Sequence, residues 1–232
     1  MTTKSFFFMT FDSALSSLKQ GEFVMIHDSD GRENEIDMVA AAEFVTPEHI
    51  VRMRKHAGGL LCLAIDNSLA EKLQLKYMHN MLSASNELDE ESKKMIMGTA
   101  PYGDHPTFSI SINHKQTYTG ITDRDRALTI KEMSTLYKNE NPKQYFNSTF
   151  KTPGHVPLLI ASNGLLSSRT GHTEMSVYLA QLANLSPITA ICEMMDSETY
   201  SALSVDKAEK YAKENAIPFI DGKELLEFSK VN

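Results

Sequence analysis

Six consecutive residues, Arg169-Thr170-Gly171-His172-Thr173-Glu174, put a guanidinium, an imidazole, a carboxylate and two hydroxyls directly ahead of an apolar series at helical spacing, Met175, Val177, Tyr178, Leu179, Leu182 and Leu185. A polar turn feeding an amphipathic helix gathers free backbone N–H groups at the positive end of the helix dipole, which suits a phosphate. Thr173 is the expected N-cap, its hydroxyl accepting from a first-turn amide. Arg169 can add a two-pronged donor to the same anion, and His172 beside it can bind a metal or move a proton. The bland alternative for the same six residues is a capped surface helix with a solvated His and Arg.

Three further groups carry chemistry. Asp28 to Asp37 holds five carboxylates and one Arg in ten positions, a density that repels itself unless a cation or solvent intervenes. A hard divalent ion takes such oxygens, and magnesium typically accepts one or two carboxylates while keeping waters or substrate oxygens; an acidic, exposed hairpin is the competing reading. If the segment is extended, Glu33, Glu35 and Asp37 share a face. Pro153-Gly154-His155 leads into an apolar strand, where His155 is either a general base or structural. Glu193 lies inside Ala190-Ile191-Cys192-Glu193-Met194-Met195, where burial would raise its pKa toward the range useful for acid–base work.

The elements that must position these residues follow from periodicity. Helices are expected over Phe11–Lys19, from Thr46 as cap to about Lys55, around Leu69–Leu73, over Thr129–Tyr137, after the 169–174 turn, over Val205–Asn215 and over Gly222–Phe228. Strands are expected over Glu22–His27, Leu60–Ile65, Phe108–Ile112, Val156–Ala161, Ile188–Met194 and Pro218–Ile220. Ser83–Pro106 is irregular and of a length usually mobile or functional, and Asn139–Thr152 is a polar connection. Strands alternating with helices, with hairpin-like pairs among them, argue a mixed sheet layered by helices in a single domain over 1–232.

Composition narrows the class. With 232 residues, 41% of them hydrophobic, the chain can bury one sizeable core. A net charge of −7 and scattered Lys and Arg exclude a basic nucleic-acid surface, while a local Arg and a metal can still hold an anionic substrate. Two cysteines, Cys62 and Cys192, form neither a disulfide framework nor a zinc spacing and read as buried thiols in a reducing compartment. The Ser5–Met9 run is too short for a signal-peptide core and lacks a basic flank, and no segment approaches a membrane span. A soluble intracellular protein is expected.

The strings Arg32-Glu33-Asn34-Glu35-x-Asp37, Pro153-Gly154-His155, Arg169-Thr170-Gly171-His172-Thr173-Glu174 and Cys192-Glu193, in this order and spanning most of the chain, resemble the 3,4-dihydroxy-2-butanone-4-phosphate synthases of riboflavin biosynthesis. The resemblance implies conversion of D-ribulose 5-phosphate to L-3,4-dihydroxy-2-butanone 4-phosphate and formate by way of a metal-stabilised enediolate. It implies Mg²⁺ or Mn²⁺, an α+β three-layer sandwich, a homodimer with its sites near the subunit interface and a cytoplasmic location, without nucleic acid or membrane. It implies Glu33 and His172 as metal ligands, and Arg32, Glu33, Asp37, Arg169, Thr170, Gly171, His172, Thr173 and Glu193 at the substrate. His155, Glu193 and Asp37 are the implied catalytic groups. A form without the fused GTP cyclohydrolase II domain of some relatives is expected.

Three departures from the family pattern stand out. Gly154-His155-Val156-Pro157-Leu158 lacks the usual aromatic, Ile36 replaces a glycine between Glu35 and Asp37, and the Ser83–Pro106 loop is longer. The competing functions are a sugar-phosphate-binding regulator without turnover, disfavoured because binding alone would not require Glu33, His172, His155 and Glu193 together, and a metal-dependent sugar-phosphate isomerase that uses the same enediolate without fragmentation.

Overall fold

The computed structural model describes residues 3–96 and 98–230. In chain order the elements are α1 (Thr3–Lys19), β1 (Val24–His27), β2 (Ile36–Ala41), α2 (Pro47–Arg52, continued by a π-helical turn Met53–Ala57), β3 (Cys62–Ile65), α3 (Asn67–Leu73), α4 (Met78–Ser83), α5 (Glu90–Lys93), β4 (Phe108–His114), α6 (Asp123–Thr135), α7 (Pro142–Thr149), β5 (Phe150–Ile160), α8 (His172–Leu182), β6 (Ile188–Glu193), β7 (Met195–Asp196), β8 (Ser201–Ala202), α9 (Val205–Glu214), β9 (Phe219–Asp221) and α10 (Gly222–Ser229).

Seven strands make one mixed sheet in the order β4-β5-β3-β6-β2-β1-β9. The β5–β3 and β1–β9 pairs are parallel and the others antiparallel. Strand alternation divides the core into two layers. Met25, Met38, Leu63 and Ala190 face one layer, closed by residues of α2, α3, α6, α7 and α9. Val24, Val39, Ala64 and Ile191 face the other, closed by α1, α8 and α10. Both faces of the central strands are covered, so every residue of β1, β2 and β3 is buried, and they are apolar apart from His27 and Asp37. This is the three-layer α+β sandwich with a mixed sheet that the sequence implies.

Two local expectations give way. The helix expected from Thr129 already begins at Asp123, because the Thr122 hydroxyl accepts the Asp125 N–H at 3.1 Å and starts it earlier. The polar connection over Asn139–Thr152 contains α7 and the start of β5. Pro142 occupies the first turn of α7, and Phe146 anchors it by stacking on Phe150 with ring centroids 5.2 Å apart.

Cys62 lies in the α8 layer and Cys192 in the opposite one, and both thiols are free and buried. Burial, followed by the negative charge of Glu193 and Asp37, raises both, Cys192 to about 12 and Cys62 further. A raised thiol pKa keeps the unreactive protonated form in place above the ordinary cysteine value. Alkylation at about pH 8.5 is therefore expected to leave both cysteines unmodified in the native protein and to modify both in guanidinium, as read by intact mass.

Candidate active site

The acidic segment is built around Asp28. Its side chain is fully buried and accepts the backbone N–H of Glu33 at 2.9 Å and of Glu35 at 3.1 Å, while Arg32 Nη1 lies 3.1 Å away. Asn34 takes a left-handed conformation, φ 54°, and its side-chain oxygen meets His27 Nε2 at 2.9 Å. The chain is therefore a tight turn up to Glu35. Strand alternation begins only at Ile36, so Glu33, Glu35 and Asp37 do not share a strand face as the extended reading required. The turn instead swings the Glu33 carboxylate toward α8.

α8 begins at His172, with Gly171 as N-cap and no side-chain cap. This corrects the expected cap at Thr173, which is the second residue of the helix and whose hydroxyl lies 3.2 Å from that of Thr107. His172 is thereby the first helical residue and is buried beneath the acidic turn. Its Nε2 lies 3.1 Å from the Glu35 carbonyl, which can only accept, so Nε2 carries hydrogen. Its Nδ1 faces Glu33 Oε2 at 3.2 Å and Asp37 Oδ1 at 3.8 Å. A neutral ring would aim a lone pair at two carboxylates. Burial opposes charge on this ring, but Asp37, Glu33 and Asp28 outweigh it and lift the imidazole to about 9.

The two carboxylates respond differently. Burial pushes Glu33 up, but bonds from His172 and from the Tyr102 hydroxyl at 2.6 Å, with Arg32 at 2.8 Å, outweigh it and hold the acid well below the ordinary range. Asp37 has no such donors: its Oδ1 is buried without a hydrogen-bond partner. Burial raises its carboxyl to about 7, against the pull of His172 and with the help of Glu193 and Glu33. Glu193 is the cross-strand partner of Asp37 on β6. It is half-buried, and its Oε2 accepts the Leu60 N–H at 2.7 Å.

Two guanidiniums converge on Gly171. Arg169 is oriented by Glu174, fully buried, which takes Arg169 Nη1 at 2.6 Å and the Ser162 N–H at 2.9 Å. Asp104 bridges the pair, 2.9 Å from Arg32 Nε and 3.5 Å from Arg169 Nε. Arg32 Nη2 and Arg169 Nε are nevertheless buried without an acceptor. With the amides of the first turn of α8 beside them, these donors could hold an anion. Thr170 is half-buried in the same turn.

Eight of the residues singled out in the sequence thus meet in one place: Arg32, Glu33, Asp37, Arg169, Gly171, His172, Thr173 and, through Asp37, Glu193. His155 does not join them. It is exposed on β5, toward the β4 edge of the sheet, and its partner is Asn113. Tyr102 and Asp104 went unread, and Asp28 and Glu174 were read only as members of their strings, without the roles they take here. Tyr102 and Asp104 sit on the long Ser83–Pro106 loop, which comes back over the acidic turn with Arg32 stacked on the Tyr102 ring at 4.8 Å. The loop's length was the signal available.

The residues fit a divalent cation. Glu33, His172 and Asp28 offer ligand atoms within 4.8 Å of one another, but the Asp28 oxygens are already engaged by the turn. Glu33 Oε2, which also faces Arg32 Nη1 at 2.8 Å, and His172 Nδ1 are left facing each other, with the unpartnered Asp37 Oδ1 behind them, and a shared proton or a cation would join the pair. One carboxylate and one imidazole, with room for water or substrate oxygens, match magnesium or manganese better than a closed zinc site.

A buried acid near neutrality, a cation position and an anion pocket within one α+β sandwich define an acid–base enzyme for a small phosphorylated substrate. The comparisons narrow this class. Residues 12–228 match the family model described as 3,4-dihydroxy-2-butanone 4-phosphate synthase. A protein of that name from Methanothermobacter thermautotrophicus is 42% identical over 92% of this chain and 93% of its own length. The riboflavin biosynthesis protein RibBA of Bacillus mycoides is 36% identical over 96% of this chain and 50% of its own. A crystal structure of a 3,4-dihydroxy-2-butanone 4-phosphate synthase in complex with two magnesium ions superposes with a TM-score of 0.77 at 27% identity, covering 95% of this chain and 96% of that one. The chain belongs to the 3,4-dihydroxy-2-butanone 4-phosphate synthase family, the lyases of riboflavin biosynthesis.

Gly171 has ordinary extended backbone angles, φ −94° and ψ 168°, yet a Cβ there would collide with Arg169 Nη1 and crowd Arg32 Nη2. Gly171→Ala is expected to displace both guanidiniums without unfolding the protein. The expected outcome is a loss of about 10²-fold in kcat/KM with an unchanged circular dichroism spectrum, checked by steady-state kinetics on the purified variant.

Proposed function

We propose that this chain, as one domain, converts D-ribulose 5-phosphate to L-3,4-dihydroxy-2-butanone 4-phosphate and formate, using Mg²⁺ or Mn²⁺ between Glu33 and His172. The observation that carries the reading is the 3.2 Å approach of His172 Nδ1 to Glu33 Oε2, a pair from segments far apart in sequence that a shared proton or a cation must hold together. Arg32, Arg169 and the amides of Gly171, His172 and Thr173 hold the phosphate, with Thr170 closing the turn beside it. A bound cation would supply a Lewis acid for the oxygens at the carbonyl end of the sugar.

Asp37, raised to about 7, is suited to take a proton from carbon next to a carbonyl at neutral pH. Glu193, across the strand pair from it, is placed for a later proton transfer. His155 is the third catalytic group, and its place outside this cluster supports a homodimer in which a second copy completes each site. Tyr118 and Ile121, both exposed, flank the loop whose Thr119 carbonyl contacts Asn113 beside His155, which suits burial against another copy. A cytoplasmic enzyme acting on a small molecule is part of this reading; among the described residues no helix is long and apolar enough to cross a membrane.

Two experiments test this. Purified protein with ribulose 5-phosphate and Mg²⁺, followed by carbon NMR, is expected to yield formate and a four-carbon ketone phosphate; pentose products alone would indicate an isomerase, and no change a binder. Glu33→Ala and His172→Ala are expected to lower turnover by at least about 10³-fold while leaving a folded protein, and near-normal rates in either would remove that residue from the cation site. For the shared site, co-refolding inactive His155→Ala with inactive His172→Ala is expected to restore part of the activity, because a mixed dimer would retain one intact site; no recovery would place His155 and His172 in the same subunit's site.

A further inference from the structure

Residues Thr152 to His155 bulge out of β5. The ladder with β4 runs from Ile112–Val156 directly to Asn113–Lys151, skipping the four residues between on β5. The bulge lies tight against β4, where a Cβ on Gly154 would overlap the Ile112 backbone. It brings His155 onto the side chain of Asn113, which is buried with 4% exposure and so must satisfy its amide within the protein.

The orientation of that amide is set by backbone groups. Asn113 Oδ1 accepts the His155 backbone N–H at 2.8 Å, and Asn113 Nδ2 donates toward the Thr119 carbonyl at 3.4 Å. The flipped amide would oppose donor to donor and acceptor to acceptor at both contacts. The remaining Nδ2 hydrogen faces His155 Nδ1 at 3.1 Å, while Oδ1, which keeps a second lone pair, lies 3.3 Å from the same nitrogen. The shorter contact points to Nδ1 as the acceptor, with the ring hydrogen on Nε2.

We propose that Asn113 is a positioning residue that locks His155 in the Nε2–H tautomer, so that His155 serves the reaction as a hydrogen-bond donor to a substrate oxygen and not as a base. The role in catalysis rests on the reading of His155 given under Proposed function; the tautomer does not. A carboxylate at the same position would accept from both the backbone N–H and Nδ1–H, and would reverse the ring. The choice of an amide over an acid at position 113 thus decides which nitrogen is offered to the substrate.

Long-range ¹H–¹⁵N spectra of the histidine rings, with His155 assigned by its loss in His155→Gln, test this directly. The wild-type protein is expected to show His155 Nδ1 at the unprotonated position and Nε2 at the protonated one, and Asn113→Asp is expected to exchange them. An Nδ1–H ring, an averaged pair of resonances in the wild type, or an unchanged tautomer in a folded Asn113→Asp protein would overturn the proposal. Should Asn113→Asp fail to fold, the wild-type spectrum decides alone. Kinetics separate the two claims: a drop of about 10²-fold in kcat with KM nearly unchanged supports the donor role, whereas an exchanged tautomer with wild-type kcat leaves the positioning intact and removes His155 from the chemistry.

Discussion

Burying carboxylates is the constraint to which the centre of this molecule answers. Removing one partner of a buried charge pair typically costs about 3–5 kcal/mol, so each acid beneath the Ser83–Pro106 loop must find donors or change its protonation. Asp28 finds two backbone amides and Arg32. Glu174 finds Ser162 and Arg169. Glu33 finds Tyr102, Arg32 and His172. Asp37 alone keeps an oxygen without a donor, and its carboxyl rises to about 7. Glu33 is held in the charged form, and the acid left without a donor is the one whose carboxyl rises toward neutral pH.

The cationic side follows the same logic in reverse. Arg32 and Arg169 repel each other, and Asp104, Asp28, Glu33 and Glu174 hold them together over Gly171. Arg32 Nη2 is still buried with nothing to donate to, and Arg169 Nε makes only the long 3.5 Å contact with Asp104. Donors that are desolvated, oriented and unspent bind an anion with little reorganisation, because the cost of arranging them has been met by the fold. The glycine between them is the geometric condition for their closeness.

Much of this was legible in the sequence because the chemistry is carried by contiguous strings. Arg169 to Glu174, the 32–37 acids and Glu193 in an apolar strand announced a site, and the apolar alternation announced a layered mixed sheet. What escaped did so for local physical reasons. Asn34 in the left-handed region broke the alternation that seemed to align three acids. α7 has a polar composition with Phe146 as its buried anchor, so no apolar stripe marked it. Tyr102 and Asp104 contribute through long-range contacts from a loop without periodicity. Asp28 read as one acid among five until its backbone acceptor role was visible.

The departure at Ile36 shows how register governs the rest. Side chains on a strand alternate, so a slip of one residue moves a whole set to the opposite face. Ile36 and Met38 enter the layer of α2 and α6, while Asp37 between them turns to α8 and reaches within 3.8 Å of His172. Ile36 therefore never touches the site; its side chain is fully buried on the other side, and its carbonyl accepts the Met194 N–H at 2.7 Å. That bond, with the Asp37–Glu193 pairing beside it, fixes β2 against β6 at their ends. The Ile36 side chain thus adds apolar burial on one face, while its backbone carbonyl, through the ladder, helps hold Asp37 and Glu193 in register on the other.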